Sequence, residues 1–247
     1  MSELALKLIK EAKETRATRL DLGNCGLTEL PDELFELTWL EQLELCNEWV
    51  FFDTEKKEWI SIQSENVGKP NKFKYINKKI STLKRLEVLM INGNYGEEWG
   101  VVDIEPLSTL TNLTLLDIAY TQVSDLTPLI YLSNLTWLNI RGTKITDLSP
   151  LEALEQLREL IAREINIENL MPIKDLSDLV FLDVSSTLVC DLEPLRNLVC
   201  LRFIHAYNLK LDDISPLKNL VNLELLNIRN TKISDLSPLT KLLKKGY

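Results

Sequence analysis

The sequence predicts an α/β solenoid in which right-handed coils stack one on the next, and three observations carry that expectation. Leu113, Leu135, Leu157, Leu179, Leu201 and Leu223 stand 22 residues apart. Within each 22-residue copy, apolar residues hold places 1, 4, 6, 11, 14, 17 and 20. Place 16 is proline every time, at Pro128, Pro150, Pro172, Pro194, Pro216 and Pro238.

Each part of the copy has a physical reading. Places 4 and 6 face inward while 3 and 5 face outward, the period of two that makes a short strand. After place 11 the apolar spacing becomes three, which reads as a 3₁₀ segment or short helical turn on the outer side. Aspartate at place 13 (Asp125, Asp147, Asp191, Asp213, Asp235) can accept from backbone N–H groups at the start of that turn, and proline fits its early residues. No copy buries its apolar edge alone, so the copies must stack, with parallel strands about 4.8 Å apart on the concave face. Place 9 holds Thr121, Thr143, Thr187 and Thr231, which read as a ladder of buried hydroxyls bonding adjacent backbone or one another. This pattern is identified as the leucine-rich repeat.

Ahead of the repeats, residues 1–16 read as a helical cap, with Leu4, Leu8, Ile9 and Ala12 on one face of a helix over 3–16. Glu3, Glu11 and Glu14 offset its lysines, which argues against a membrane-binding helix. Residues 17–247 form the solenoid, about nine repeats. The run from Ile9 through Arg19-Leu-Asp-Leu22 to Gly26-Leu-Thr-Glu-Leu-Pro31 resembles the opening of bacterial leucine-rich-repeat proteins, including some whose repeats precede a Roc–COR GTPase module. The later Ile-Thr-Asp-Leu-Ser-Pro-Leu copies resemble internalin-type repeats. The resemblance implies a protein-interaction module, or the sensor region of a larger GTPase-like protein; a self-assembling scaffold is the remaining alternative.

Two insertions break the period. Leu22 to Leu30 is eight residues, but the equivalent Leu45 to Ile76 is thirty-one, so 23 residues enter within 46–75. The first half, Trp49 to Ile62, reads as a hairpin and the remainder, through Asn71, as loop. A smaller excursion lies within 94–100. Trp49, Trp59 and Trp99 are in or beside these excursions. They form a binding site or a satellite core where the excursions pack together; an insertion's need for apolar contacts of its own favours the core. At the other end Lys241 to Tyr247 stops within a ninth repeat, which suggests a piece excised from a longer protein, or a crude closure by Leu242 and Leu243.

Composition narrows the function. A formal net charge of -9 and a pI near 4.9 disfavour nucleic acid and anionic membranes as partners, and make a basic or peptide-like partner easier to imagine. No apolar run reaches 18 residues and the N-terminus lacks a signal peptide, so a cytoplasmic location is expected. Cys25, Cys46, Cys190 and Cys200 show no metal spacing and are expected as free thiols. The glycosylation patterns at Asn112 and Asn134 read as coincidence. Phosphate-binding loops and nucleophile or zinc motifs are missing, and His205 is the single histidine. No cofactor, metal or catalytic residue is expected. Asp21 and Glu44, neighbours at place 5, read as surface charges rather than a glycosidase pair.

The candidate binding surface is the concave sheet. Outward places stack into columns: place 3 gives Val88, Leu115, Trp137, Glu159, Phe181, Phe203 and Leu225, and place 7 includes Arg141, Arg163, Tyr207 and Arg229. Six of the seven residues at place 3 are apolar where the repeat does not require it, so Val88, Leu115, Trp137, Phe181, Phe203 and Leu225 read as an exposed stripe, flanked by Arg141, Arg163, Tyr207 and a solvated His205. The expected partner is a protein or peptide, possibly another domain of the same full-length chain.

Overall fold

The structure, a computed structural model, describes residues 2–94, 96 and 99–240. Leu242 and Leu243 lie outside the described residues. Two compact units divide the chain, Met1–Val123 and Ser124–Tyr247.

The first unit opens with helix α1 (Glu3–Thr15). The Ser2 hydroxyl accepts from the Ala5 N–H at 3.3 Å, and Arg16 ends the helix in the left-handed region at φ 56° while the Ala17 N–H donates to the Ala12 carbonyl at 3.0 Å. Ala5, Ile9 and Ala12 are buried. The buried face is thus centred one residue beyond Leu4 and Leu8, with small Ala5 and Ala12 letting the helix sit close against β1 (Arg19–Asp21).

β2 (Gln42–Glu44) pairs parallel with β1, and Leu20 and Leu43 face inward in register. The insertion then builds an antiparallel hairpin, β3 (Glu48–Asp53) and β4 (Glu58–Gln63). Its turn is held by Asp53, whose Oδ1 accepts from the N–H groups of Glu55 and Lys56 at 2.9 Å each. Trp49 stacks on Phe51 at 4.4 Å, and Phe52 meets Trp59 edge-on at 5.5 Å, so the hairpin carries its own aromatic contacts. β5 (Val88–Met90) and β6 (Leu115–Asp117) continue the sheet in the order β1-β2-β5-β6.

Where the insertions return, the repeat resumes at place 9. Asn71 is buried and its side-chain amide donates to the carbonyls of Leu22 and Leu45 at 2.7 Å each, while its Oδ1 accepts from the Leu27 N–H at 2.8 Å. One amide therefore ties two coils together beyond their strands. Trp99 fills the same place one coil later, bridging Thr121 and packing edge-on to Phe73 at 4.8 Å. Trp99 thus belongs to the repeat interior, and the satellite-core expectation is corrected for it: Phe73 is at place 11, an inward position of the coil itself.

The second unit stacks five parallel strands in register, β7 (Trp137–Asn139), β8 (Glu159–Ile161), β9 (Phe181–Asp183), β10 (Phe203–His205) and β11 (Leu225–Asn227). The central Leu138, Leu160, Leu182 and Ile204 are fully buried, each contributing about 1.5–3 kcal/mol of hydrophobic stabilisation. On the opposite side of each coil runs a 3₁₀ turn with proline in its first or second position. Asp125, Asp147, Asn169, Asp191, Asp213 and Asp235 each accept from the N–H two residues on, at 2.7–2.9 Å. The side chain at place 13 therefore fixes where the 3₁₀ turn starts.

One feature of the coil differs from expectation. The threonines form no ladder: Thr143, Thr187 and Thr231 donate to the carbonyl three residues back in their own coil, at 2.7, 2.7 and 2.8 Å. Ile165 and Leu209 hold place 9 in the coils between them, so no hydroxyl chain can pass. Place 8 is left-handed in every coil of this unit, at Gly142, Glu164, Ser186, Asn208 and Asn230, with φ between 55° and 64°. The chain needs that conformation to leave the strand, and only one coil supplies glycine for it.

Candidate functional site

Outward residues of β7–β11 are held in register by the ladder itself: Trp137, Glu159, Phe181, Phe203 and Leu225 form one column and Asn139, Ile161, Asp183, His205 and Asn227 the next. The columns are far less accessible than alternation predicts. Trp137 is 8% exposed, Phe181 and Phe203 are 0%, and His205 is 5%. The expected exposed apolar stripe is therefore corrected at Trp137, Phe181 and Phe203, and His205 is not a solvated surface residue. Val88 and Leu115 in the first unit, and Leu225 in the second, are half-buried.

The reason is side-chain size at strand spacing. Large groups about 4.8 Å apart lie across one another instead of standing into solvent. The Arg202 guanidinium covers the Phe203 ring at 5.1 Å from its centroid, Phe181 and His205 are in tilted ring contact at 5.5 Å, and the Trp137 indole bonds the Glu159 carboxylate. The apolar column thus forms a supporting layer under a polar one.

That polar layer sits at the C-terminal ends of the strands. Place 5 turns the chain: Asn139 accepts from the Arg141 N–H at 3.1 Å and Asp183 from the Ser185 N–H at 2.9 Å. Where His205 takes this place, the Tyr207 N–H turns to the Ser185 hydroxyl of the neighbouring coil at 3.3 Å. Arg141 and Arg163 close on Glu164 from two coils, the former bidentate at 3.0 and 3.1 Å and the latter at 2.9 Å. Arg163 also lies 3.9 Å from the Asp183 carboxylate and 5.6 Å from the Tyr207 ring centroid.

Burial sets the charge states. Desolvation raises Asp183 above the usual carboxylate range, against the lowering effect of its Ser185 bonds and of Arg163. Desolvation lowers His205, so the ring beside Asp183 and Arg163 is held towards neutrality. Burial also opposes ionisation of Glu164, but the bonds from Arg141 and Arg163 outweigh it and hold that carboxylate low. Arg141, Arg163 and Tyr207 are brought together as expected, each partly exposed. Glu164, the common partner of the two arginines, was missed; glutamate at a place that the other coils of this unit fill with glycine, serine or asparagine was the available signal.

The carboxylates of Asp21 and Glu44 are both occupied. Glu44 pairs with Arg19 at 2.7 Å, and Asp21 accepts from the Gly23 N–H at 2.7 Å and from the Ser64 hydroxyl at 2.9 Å, tying the insertion's return to β1. A recess of about 820 Å³ between the start of α1, the first coil and Val67–Lys69 includes Cys25, whose thiol burial pushes up to about 11. Such a thiol is a poor nucleophile. Among the described residues, no three His, Cys, Asp or Glu side chains are grouped to hold a metal ion, and no helix is long and apolar enough to cross a membrane.

No protein-family model matches the sequence, and no curated protein does. Solved structures do match. Internalin C2 from Listeria monocytogenes is 24% identical with a TM-score of 0.67, over 98% of this chain and 89% of that one. A second Listeria monocytogenes internalin, inlF, is 21% identical with a TM-score of 0.61, over 98% and 79%. A Leptospira interrogans LRR protein is 24% identical with a TM-score of 0.70; the match covers 92% of this chain and 58% of that one. The shared fold is the leucine-rich-repeat solenoid. The resemblance to repeats preceding Roc–COR modules rests on residues 9–31 alone.

Proposed function

We propose that the chain is a non-catalytic protein-interaction module and that its partner docks on the concave face of the second unit, along Arg141, Arg163, Tyr207 and Leu225. The observation that carries this reading is the Arg141–Glu164–Arg163 network with Tyr207 beside it. These groups are partly exposed yet already fixed by bonds between coils, so little side-chain entropy is lost when a partner arrives. Arginine and tyrosine are also residues that dominate interface energetics. Trp137, Phe181, Phe203 and His205 support that surface from below.

The test is to select peptide binders against the whole chain and map them by hydrogen–deuterium exchange. Protection at the ends of β7–β11, with Tyr207→Ala and Arg141→Ala weakening binding while Tm is held, is the expected result. Protection confined to β3–β4, or binding lost on Trp59→Ala instead, would move the site to the hairpin. A self-assembling scaffold is the second reading, favoured by the coil of β11, where Leu226 and Ile228 are only half-buried and Leu236 is 51% exposed. Light scattering that rises with concentration would support it.

A further inference from the structure

The concave-face reading gains a partner chemistry from the distribution of charge. The chain carries a net charge of -9, yet places 7, 8 and 10 of the five coils in the second unit hold six basic residues, Arg141, Lys144, Arg163, Lys210, Arg229 and Lys232, against one acid, Glu164. The repeat does not demand this, since the same places elsewhere hold serine, asparagine, leucine and tyrosine. Arg141 and Arg163 are committed to Glu164 and Asp183. Lys210, Arg229 and Lys232 make no ion pair with any described residue. All three are exposed, and all three lie on the last two coils.

Their setting is polar and ordered. Asn230 donates to the Asn208 side chain at 2.9 Å and Asn208 donates to the Ser186 hydroxyl at 3.1 Å, a rung of hydrogen bonds along the same rim. Of the acids that follow in sequence, Asp213 and Asp235 are turned into the 3₁₀ turns by bonds from Ser215 and Ser237, while Asp212 is exposed beside them. Lys210, Arg229 and Lys232, in the coil of Tyr207 and the one after it, are thus three unpaired cations against one exposed acid not so engaged, Asp212.

We propose that this rim, Lys210, Arg229 and Lys232 with Tyr207, binds an acidic segment of a partner protein, an extended run rich in Asp and Glu. The inference rests on the concave-face reading and names what that face selects. A polypeptide fits better than a nucleic acid because Glu164 interrupts the cationic track that a phosphate backbone needs. Local charge thus reverses the expectation from net charge, which pointed to a basic partner.

The experiment uses the full chain and a fluorescein-labelled dodecaglutamate peptide, read by anisotropy at low salt, with a neutral Gly/Ser peptide and a twelve-base oligothymidine for comparison. Dodecaglutamate should bind in preference to both and weaken steeply as salt rises, because charge contacts at an exposed rim are screened. Combined Lys210→Glu, Arg229→Glu and Lys232→Glu should weaken it by at least about tenfold, since like-charge juxtaposition replaces complementarity. The Gln versions of the same three changes should fall between. Thermal melting of each variant confirms the fold, and Trp59→Ala on the hairpin should leave binding intact. Dodecaglutamate binding no better than the neutral peptide, equal binding by the reversed variant, or tighter binding of oligothymidine would each overturn the proposal. If selected binders still protect the ends of β7–β11 in that event, the concave reading stands and only the acidic partner falls.

Discussion

Thr187→Val isolates what the residue at place 9 does. The side chain is 9% exposed and its hydroxyl donates at 2.7 Å to the carbonyl of the fully buried Val184. Valine keeps the volume and removes the donor, so a buried carbonyl loses its side-chain partner at a cost of about 1–3 kcal/mol. In a chain of this size each kcal/mol shifts Tm by about 2–4 °C, so a fall of about 2–12 °C is expected. Thr143→Val should behave alike, because its hydroxyl donates to the Ile140 carbonyl at 2.7 Å. The two sites are separated by the coil carrying Ile165, hence by two strand spacings of about 4.8 Å. Independent groups at that separation add within about 0.5 kcal/mol. The assay is urea unfolding of both single variants and the double variant, with an unchanged m-value verifying that one transition is being compared. A cost below about 0.5 kcal/mol for either single change, or a coupling above about 1 kcal/mol in the double, would refute the argument that each hydroxyl serves only its own coil.

Ser186→Asn should stabilise the chain by a few tenths to about 1 kcal/mol, since φ is 56° there and asparagine tolerates the left-handed region better than serine; a lower Tm would contradict it. Asp125 and Asp147 are held below the usual carboxylate range by side-chain bonds from Thr127 and Ser149, and Asp213 and Asp235 by backbone bonds from Ser215 and Ser237. Because the folded pKa lies below the unfolded value of about 3.9, their stabilisation is complete above that pH and is lost as pH falls through the folded pKa. A melting series from pH 6 to 2 should therefore show a decline below about pH 4 that shrinks in Asp213→Asn; identical profiles would argue that these caps contribute nothing. Alkylation without reductant should modify all four cysteines in the unfolded chain, but only the exposed Cys190 and Cys200 before unfolding. Mass spectrometry reads both states, and fewer than four modified thiols in the unfolded chain would reveal a disulfide.

The repeat was legible because burial acts on every copy alike. Period 22, the inward Leu138, Leu160 and Leu182, and the place-13 caps follow from local chemistry repeated in register, and the structure has them all. Asn71 and Trp99 were harder, since an insertion hides which residue resumes the coil. Counting back from Phe73 and Val101, both buried at place 11, would have found each of them at place 9. The left-handed place 8 left only a weak trace, as Gly142, Asn208 and Asn230 share that conformation with Glu164 and Ser186.

The concave face was misread because alternation fixes which way a side chain leaves the backbone, not what lies over it. Phe203 leaves the sheet outward and is nonetheless covered by Arg202, a residue that a column-by-column reading assigns to a different column. The same crossing brings Arg163 towards Asp183 and Tyr207, which lie in different coils. Accessibility on such a face is decided between coils, by the lengths of neighbouring side chains, so the aromatic column is structural and the arginine and tyrosine column is the more accessible one. Phe181→Ala should then melt the second unit as a core truncation does, at about 3–5 kcal/mol, whereas Tyr207→Ala should leave Tm nearly unchanged. Equal and small effects of the two on stability would return Phe181 to the surface and undo the layered description of this face.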